Sequence, residues 1–94
     1  MFEAKISDNK EIVLSGRLDA AQADKAREVF NLITESAVVN FKDLEYISSA
    51  GLGILLAVQK RLSESGHSLK LINFNKHVGD VFRYAGFNMI FHIE

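Results

Sequence analysis

The stretch Tyr46-Ile47-Ser48-Ser49-Ala50-Gly51-Leu52-Gly53, residues 46–53, is the most unusual in the chain and decides how the rest is interpreted. It stands where a strand-like segment gives way to a long apolar run typical of a helix. Glycine costs about 1 kcal/mol relative to alanine inside a helix. Gly51 and Gly53 in the first helical turn therefore indicate that another group approaches the backbone closely.

Two interpretations of this motif follow from its chemistry. In the first, Ser49 caps the helix and the glycines allow it to pack closely on a sheet. In the second, Ser49 is a phosphate acceptor on a surface that meets a partner, because the free N–H groups and dipole of a helix start tolerate an anion. The absence of charged residues between Glu45 and Lys60 favours the second, since added negative charge changes recognition most on a neutral surface.

On the N-terminal side of the motif, the pattern predicts two strands, a helix and a third strand. Residues 2–6 alternate between apolar and polar, and residues 12–14 resume after the turn residues 8–10, which indicates a hairpin. A helix begins at Ala20 with Asp19 as its cap. Its apolar face recurs every three or four residues, at Ala23, Ala26, Phe30 and Ile33. The short apolar run 37–41 predicts a strand covered on both faces.

On the C-terminal side, two more helices and two more strands are expected. The second helix starts at the serines and runs to about Ser65, where Gly66 ends it. Residues 69–72 form a strand, Asn75 caps a short third helix that Gly86 ends, and residues 89–93 form the last strand. The order β-β-α-β-α-β-α-β predicts an α/β fold with one mixed, largely parallel sheet and helices mainly on one face, in a single domain of residues 1–94.

Composition excludes several classes of protein. The 94 residues include no cysteine and carry a formal charge of -1, so a disulfide framework is ruled out and nucleic acid is not expected as the main partner. The longest apolar run is far short of the roughly 20 residues that a membrane span needs. The N-terminus does not resemble a signal peptide. The chain is therefore expected to be cytoplasmic, without membrane insertion.

The run of residues 40–55 resembles the signature of STAS domains, most closely those of bacterial anti-sigma factor antagonists. That signature has an apolar strand, Asp-Leu, an aromatic and an apolar residue, and then Asp-Ser-(Ser/Ala)-Gly-Leu-Gly. Residues 16–19 look like the family's Gly-(Glu/Arg)-(Leu/Ile)-Asp, and residues 81–87 are similar to its Leu-Phe-x-x-(Ser/Ala)-Gly-Leu. One departure is Ser48, which stands where the family usually carries Asp.

The resemblance implies a regulatory binding module that is not an enzyme. By position, Ser49 is the serine that a partner phosphorylates, and Ser48 is the second candidate; that partner is both anti-sigma factor and serine kinase. The unphosphorylated domain would bind this kinase and release a sigma factor, phosphorylation would abolish binding, and a metal-dependent serine phosphatase would restore it. The implied partner-binding residues are Asp19, Ser48, Ser49, Ala50, Gly51, Leu52 and Gly53.

Other functions compete with this one. The same fold serves as a STAS subunit that binds the ATPase of a lipid-transport ABC complex, which is the main alternative. A hydrolase triad of Ser49, Asp19 and one histidine lacks the Gly-x-Ser-x-Gly elbow. His67, His77 and His92 lack the i, i+4 spacing of a helical metal pair, so no metal and no cofactor is expected.

Overall fold

The computed structural model describes residues 1–94 and contains one five-stranded sheet with its strands in sequence order. The strands are β1 (Phe2–Ile6), β2 (Glu11–Leu18), β3 (Ala37–Ile47), β4 (Leu69–Ile72) and β5 (His92–Ile93). β1 pairs antiparallel with β2, and every other pairing is parallel. The helices are α1 (Ala23–Phe30), α2 (Ser49–Ser63) and α3 (Lys76–Tyr84). The predicted fold class and element order are confirmed.

The hairpin between β1 and β2 closes through a left-handed residue. Lys10 has φ of +64°, and its N–H donates to the Ser7 carbonyl at 3.0 Å. The Ser7 N–H donates in turn to the Glu11 carbonyl at 2.8 Å. The turn chemistry of residues 8–10 thus forms the expected connection.

One face of the sheet carries the core. Along β2, Ile12 and Leu14 are buried, while the alternating residues Val13 and Ser15 are only partly covered. The same alternation holds at Leu69 and Leu71 of β4. All three helices contribute to the same cluster of 22 buried apolar residues, so they cover this face together, as predicted.

β3 is longer than the sequence indicated. A strand of residues 37–41 was predicted, and the strand runs from Ala37 to Ile47. Its register against β2 shifts twice, and these irregularities leave Phe41, Leu44 and Ile47 buried at every third position. Because bulges break the two-residue period, the pattern conceals the strand's second half.

The last strand is shorter than predicted. Only His92–Ile93 pairs with β4, whereas residues 87–89 form a 3-10 turn. Aromatic packing explains the turn: the rings of Phe82 and Phe87 stack at 5.2 Å, and those of Phe87 and Phe91 lie 4.9 Å apart. In an extended strand Phe87 and Phe91 would share a face but lie about 13 Å apart. A helical turn brings residues four apart together, so the contact between their rings requires the turn.

The first helix also begins differently. Residues 20–22 form a 3-10 turn, and the α-helix starts at Ala23. Asp19 occupies the cap position of the turn, but its side chain makes no capping hydrogen bond. The Gln22 N–H donates to the Asp19 backbone carbonyl at 3.1 Å. The predicted role of the Asp19 carboxylate as a helix cap is therefore wrong.

Asn75 caps the start of α3, and Gly66 and Gly86 follow the ends of α2 and α3, as expected. The Asn75 side chain accepts a hydrogen bond from the Val78 N–H at 2.8 Å. Gly66 and Gly86 have φ of +79° and +74°, which suits glycine beyond a helix end. The longest helix has 15 residues, and no helix is both long enough and apolar enough to span a bilayer.

Arg61 of α2 links two helices. Its guanidinium donates to the Ile33 carbonyl at 2.8 Å and to the Phe30 carbonyl at 3.0 Å, at the C-terminal end of α1. We expect Arg61→Ala to lower the free energy of unfolding by about 1–2 kcal/mol, because two charge-assisted hydrogen bonds to backbone carbonyls, at the last residue of α1 and just beyond it, are lost. Urea unfolding measures this. The control is Lys60→Ala, which removes an exposed neighbour; equal effects of the two changes would contradict the assignment.

Candidate partner-binding site

Ser48 caps α2. Its backbone is extended, with φ of -93° and ψ of 174°, and its side-chain oxygen accepts a hydrogen bond from the Gly51 N–H at 3.4 Å. The Ser48 N–H donates to the Leu18 carbonyl at 2.9 Å, which fixes the helix start to the end of β2. The interpretation of Ser49 as the cap is therefore wrong. Ser48 performs the local role that Asp, an equally good cap, would have there.

Ser49 is the first residue of α2 and is exposed. Its hydroxyl makes no hydrogen bond within the chain, because Ser48 already occupies the cap. The first turn of α2 contains no acidic residue, and no charged residue occurs between Glu45 and Lys60. The hydroxyl therefore lies at the positive end of a helix dipole, in a stretch of the chain, residues 46–59, that carries no charged side chain.

Gly51 and Gly53 have different surroundings. A Cβ at buried Gly51 would lie 2.7 Å from Ile47 Cγ1 and 2.9 Å from Leu18 Cγ. A Cβ at exposed Gly53 would meet nothing within 4 Å. Packing on the sheet thus explains Gly51, whereas no group of this chain requires glycine at position 53.

Asp19 lies beside this helix start. Leu18 and Ile47 are partners in the parallel pairing of β2 and β3, so Asp19 and Ser48 follow at adjacent strand ends. Asp19 is partly buried, and its Oδ1 atom is buried without a hydrogen-bond partner. A buried carboxylate oxygen that lacks a donor is costly, so Asp19 retains unused hydrogen-bonding capacity at this edge.

A stack of side chains at the same sheet edge was not singled out from the sequence. The Arg17 guanidinium lies over the Tyr46 ring, 4.4 Å from its centroid. The Tyr46 and His77 rings are near-parallel, with centroids 6.3 Å apart. Arg17 and Tyr46 are register partners, so the bulge in β3 brings them together. Only the Gly16–Asp19 motif pointed to this region, and it pointed to Asp19.

The surface around Ser49 is not a catalytic pocket. None of the four surface clefts is lined by Ser48 or Ser49. One cleft of about 310 Å³ lies between β1, the β1–β2 turn and the segment before β3. No three His, Asp or Glu side chains gather as a metal site. A surface without a cleft suits contact with another protein better than enclosure of a small substrate.

The family model described as Mlab, STAS domain, matches residues 2–92. The chain belongs to the STAS-domain family. The resemblance drawn from residues 40–55 is thereby confirmed. The full set of predicted partner-binding residues stays a prediction for this STAS domain.

Known proteins similar to this STAS domain are anti-sigma factor antagonists. It is 39% identical over 72 residues to BtrV of Bordetella bronchiseptica, which is assigned to that class; the match covers 77% of this chain and 56% of BtrV. It is 24% identical to the anti-sigma-B factor antagonist of Staphylococcus aureus, covering 89% of this chain and 82% of that protein. The STAS domain therefore spans little more than half the length of BtrV but most of the staphylococcal protein.

The fold is also that of solved relatives. The structure of SpoIIAA, an anti-sigma factor antagonist, in its unphosphorylated form superposes with a TM-score of 0.78 at 20% identity, covering 100% of this chain and 88% of SpoIIAA. Its phosphorylated form, from Bacillus, gives 0.70 at 20% identity, with 100% and 91% covered. Anti-sigma factor antagonists are regulatory binding proteins, so the prediction that this STAS domain is not an enzyme is confirmed.

Proposed function

We propose that this STAS domain is a cytoplasmic anti-sigma factor antagonist controlled by phosphorylation. Unphosphorylated, it binds an anti-sigma factor that is also a serine kinase, and so releases a sigma factor. Phosphorylation of Ser49 abolishes binding, and a serine phosphatase restores it. The observation that carries the proposal is the exposed Ser49 hydroxyl at the start of α2, free of any bond because Ser48 is the cap.

The physical basis of the switch is local. A phosphate brings roughly two negative charges to a surface that has none between residues 45 and 60. Desolvating that charge against a partner without a matching cation costs several kcal/mol. The fold itself tolerates the phosphate, since the first turn of α2 offers a favourable dipole. Binding can therefore be lost without a change in the domain's shape.

The relatives support the proposal through their names. The staphylococcal protein is an anti-sigma factor antagonist, BtrV is assigned to that class, and SpoIIAA is an antagonist with structures in phosphorylated and unphosphorylated forms. Extending these properties to this chain rests on the match of Ser49 and its neighbours to the antagonist motif.

One observation favours a second function. Ser48 replaces the Asp that antagonists usually carry beside the acceptor, so the fixed negative charge next to Ser49 is missing. A STAS subunit that binds the ATPase of a lipid-transport ABC complex would use the same flat surface as a permanent contact. In that case Ser49 would remain unmodified.

Incubation with the source organism's anti-sigma factor kinase and ATP distinguishes the two functions. The tryptic fragment between Lys42 and Lys60 contains both serines, so fragmentation mass spectrometry assigns the modified residue. We expect one phosphate, on Ser49. It should vanish in Ser49→Ala and persist in Ser48→Ala. An unmodified fragment, together with stable binding to a transport ATPase, would support the second function instead.

A further inference from the structure

The arginines of the chain differ in how their guanidinium groups are used. Arg27 pairs with Asp24, Arg83 pairs with Asp80, and Arg61 donates to two backbone carbonyls. Arg17 is exposed, and its guanidinium N–H groups donate to no acceptor in the chain. No carboxylate lies within ion-pair distance of it.

Arg17 is nevertheless held in place. Its guanidinium packs over the Tyr46 ring at 4.4 Å, and the Tyr46 ring is near-parallel to that of His77. His77 is itself positioned by the start of α3, where the Asn75 side-chain amide donates to the Leu44 carbonyl at 3.1 Å. A guanidinium stacked on a ring keeps its N–H edge free, and its ordering cost has already been met in the unbound protein.

The stack adjoins the surface of the proposed partner. Arg17 and Tyr46 are register partners, and the next pair along the strands is Leu18 and Ile47. Ser48 follows directly and bonds to the Leu18 carbonyl at 2.9 Å. A protein seated on Ser49 and Gly53 therefore has the Arg17 stack at its rim.

We propose that Arg17, positioned by Tyr46 and His77, binds a carboxylate side chain of the partner protein that docks on residues 48–53. This inference rests on the proposed function and names a contact within it. A carboxylate matches the planar fork of a guanidinium with two parallel hydrogen bonds. Because residues 46–59 carry no charge, an ion pair at Arg17 beside this stretch would help to fix the orientation of docking.

The test uses the purified anti-sigma factor kinase of the source organism and the unphosphorylated domain, with affinities from calorimetry at low and high salt. We expect Arg17→Gln to weaken binding roughly 10- to 100-fold, the usual effect of truncating one partner of a close ion pair. The decrease in affinity with added salt should become shallower in the variant. The control is Arg83→Gln, at the opposite end of α3 from His77, and it should bind like the wild type.

Two further variants separate the charge from its support. Arg17→Lys keeps the charge but loses the planar fork, so its affinity should lie between those of wild type and Arg17→Gln. Tyr46→Phe should bind like the wild type, whereas Tyr46→Leu removes the ring beneath Arg17 and should bind more weakly.

The outcomes distinguish this contact from the function on which it rests. Arg17→Gln with wild-type affinity and salt dependence, alongside loss of binding in Ser49→Asp, would overturn the Arg17 contact and leave the antagonist function standing. Wild-type protein that fails to bind the kinase would overturn both.

Discussion

Ser49→Asp weakens binding to the anti-sigma factor kinase by roughly 100-fold or more, because an unpaired charge in a protein interface costs several kcal/mol. Ser49→Ala, which removes only a small hydroxyl, retains the wild-type affinity within about threefold. Isothermal titration of each variant with the kinase measures both values.

Stability measurements show whether the loss arises at the interface. Aspartate in the first turn of a helix interacts favourably with the dipole, so Ser49→Asp should unfold at the same urea concentration as wild type or slightly higher. The matched control is Ser65→Asp, which adds the same charge at an exposed serine beyond the other end of α2. Equal binding by Ser49→Asp and Ser49→Ala would refute the phosphorylation switch.

Gly51→Ala lowers the free energy of unfolding by about 2 kcal/mol, within the usual range for overpacking a core. The new Cβ would lie 2.7 Å from Ile47 Cγ1 and 2.9 Å from Leu18 Cγ. Neither atom is the free end of a flexible side chain, so α2 must move away from the sheet. Denaturant unfolding gives the magnitude, and the helix start carries Ser49 with it, so partner binding should weaken too.

Gly53→Ala is the matched control in the same helical turn. Nothing lies within 4 Å of its would-be Cβ, so the free protein should gain up to about 1 kcal/mol from helix propensity. If a partner seats against this backbone, the same variant binds it less tightly despite its greater stability. Destabilisation by Gly53→Ala equal to that of Gly51→Ala would contradict this division of roles.

Much of the fold could be predicted because local and tertiary preferences agree. The apolar face of α1, the hairpin turn at residues 8–10 and the Asn75 cap all form as the sequence indicates. The errors occur where packing breaks a period. Bulges conceal the second half of β3, and the turn at residues 87–89, where Phe82, Phe87 and Phe91 pack together, shortens the predicted last strand to His92–Ile93.

The candidate site was predicted in its location but not in its details. The motif of residues 46–53 marked the start of α2, yet sequence spacing could not say which serine caps the helix. The two glycines were also equivalent in sequence, and only the proximity of Leu18 and Ile47 distinguishes them. Arg17, Tyr46 and His77 belong to three separate elements, so no local pattern links them.

By itself, the sequence determined the α/β class, the order of elements and the position of a serine at a helix start, because periodicity, turn residues and the motif at residues 46–53 are local properties. Only the tertiary structure decided that Ser48 is the cap, that Ser49 is exposed and that Arg17 lacks an ion-pair partner. These features depend on strand register and on which atoms of distant segments come close together. A linear pattern of residues encodes neither.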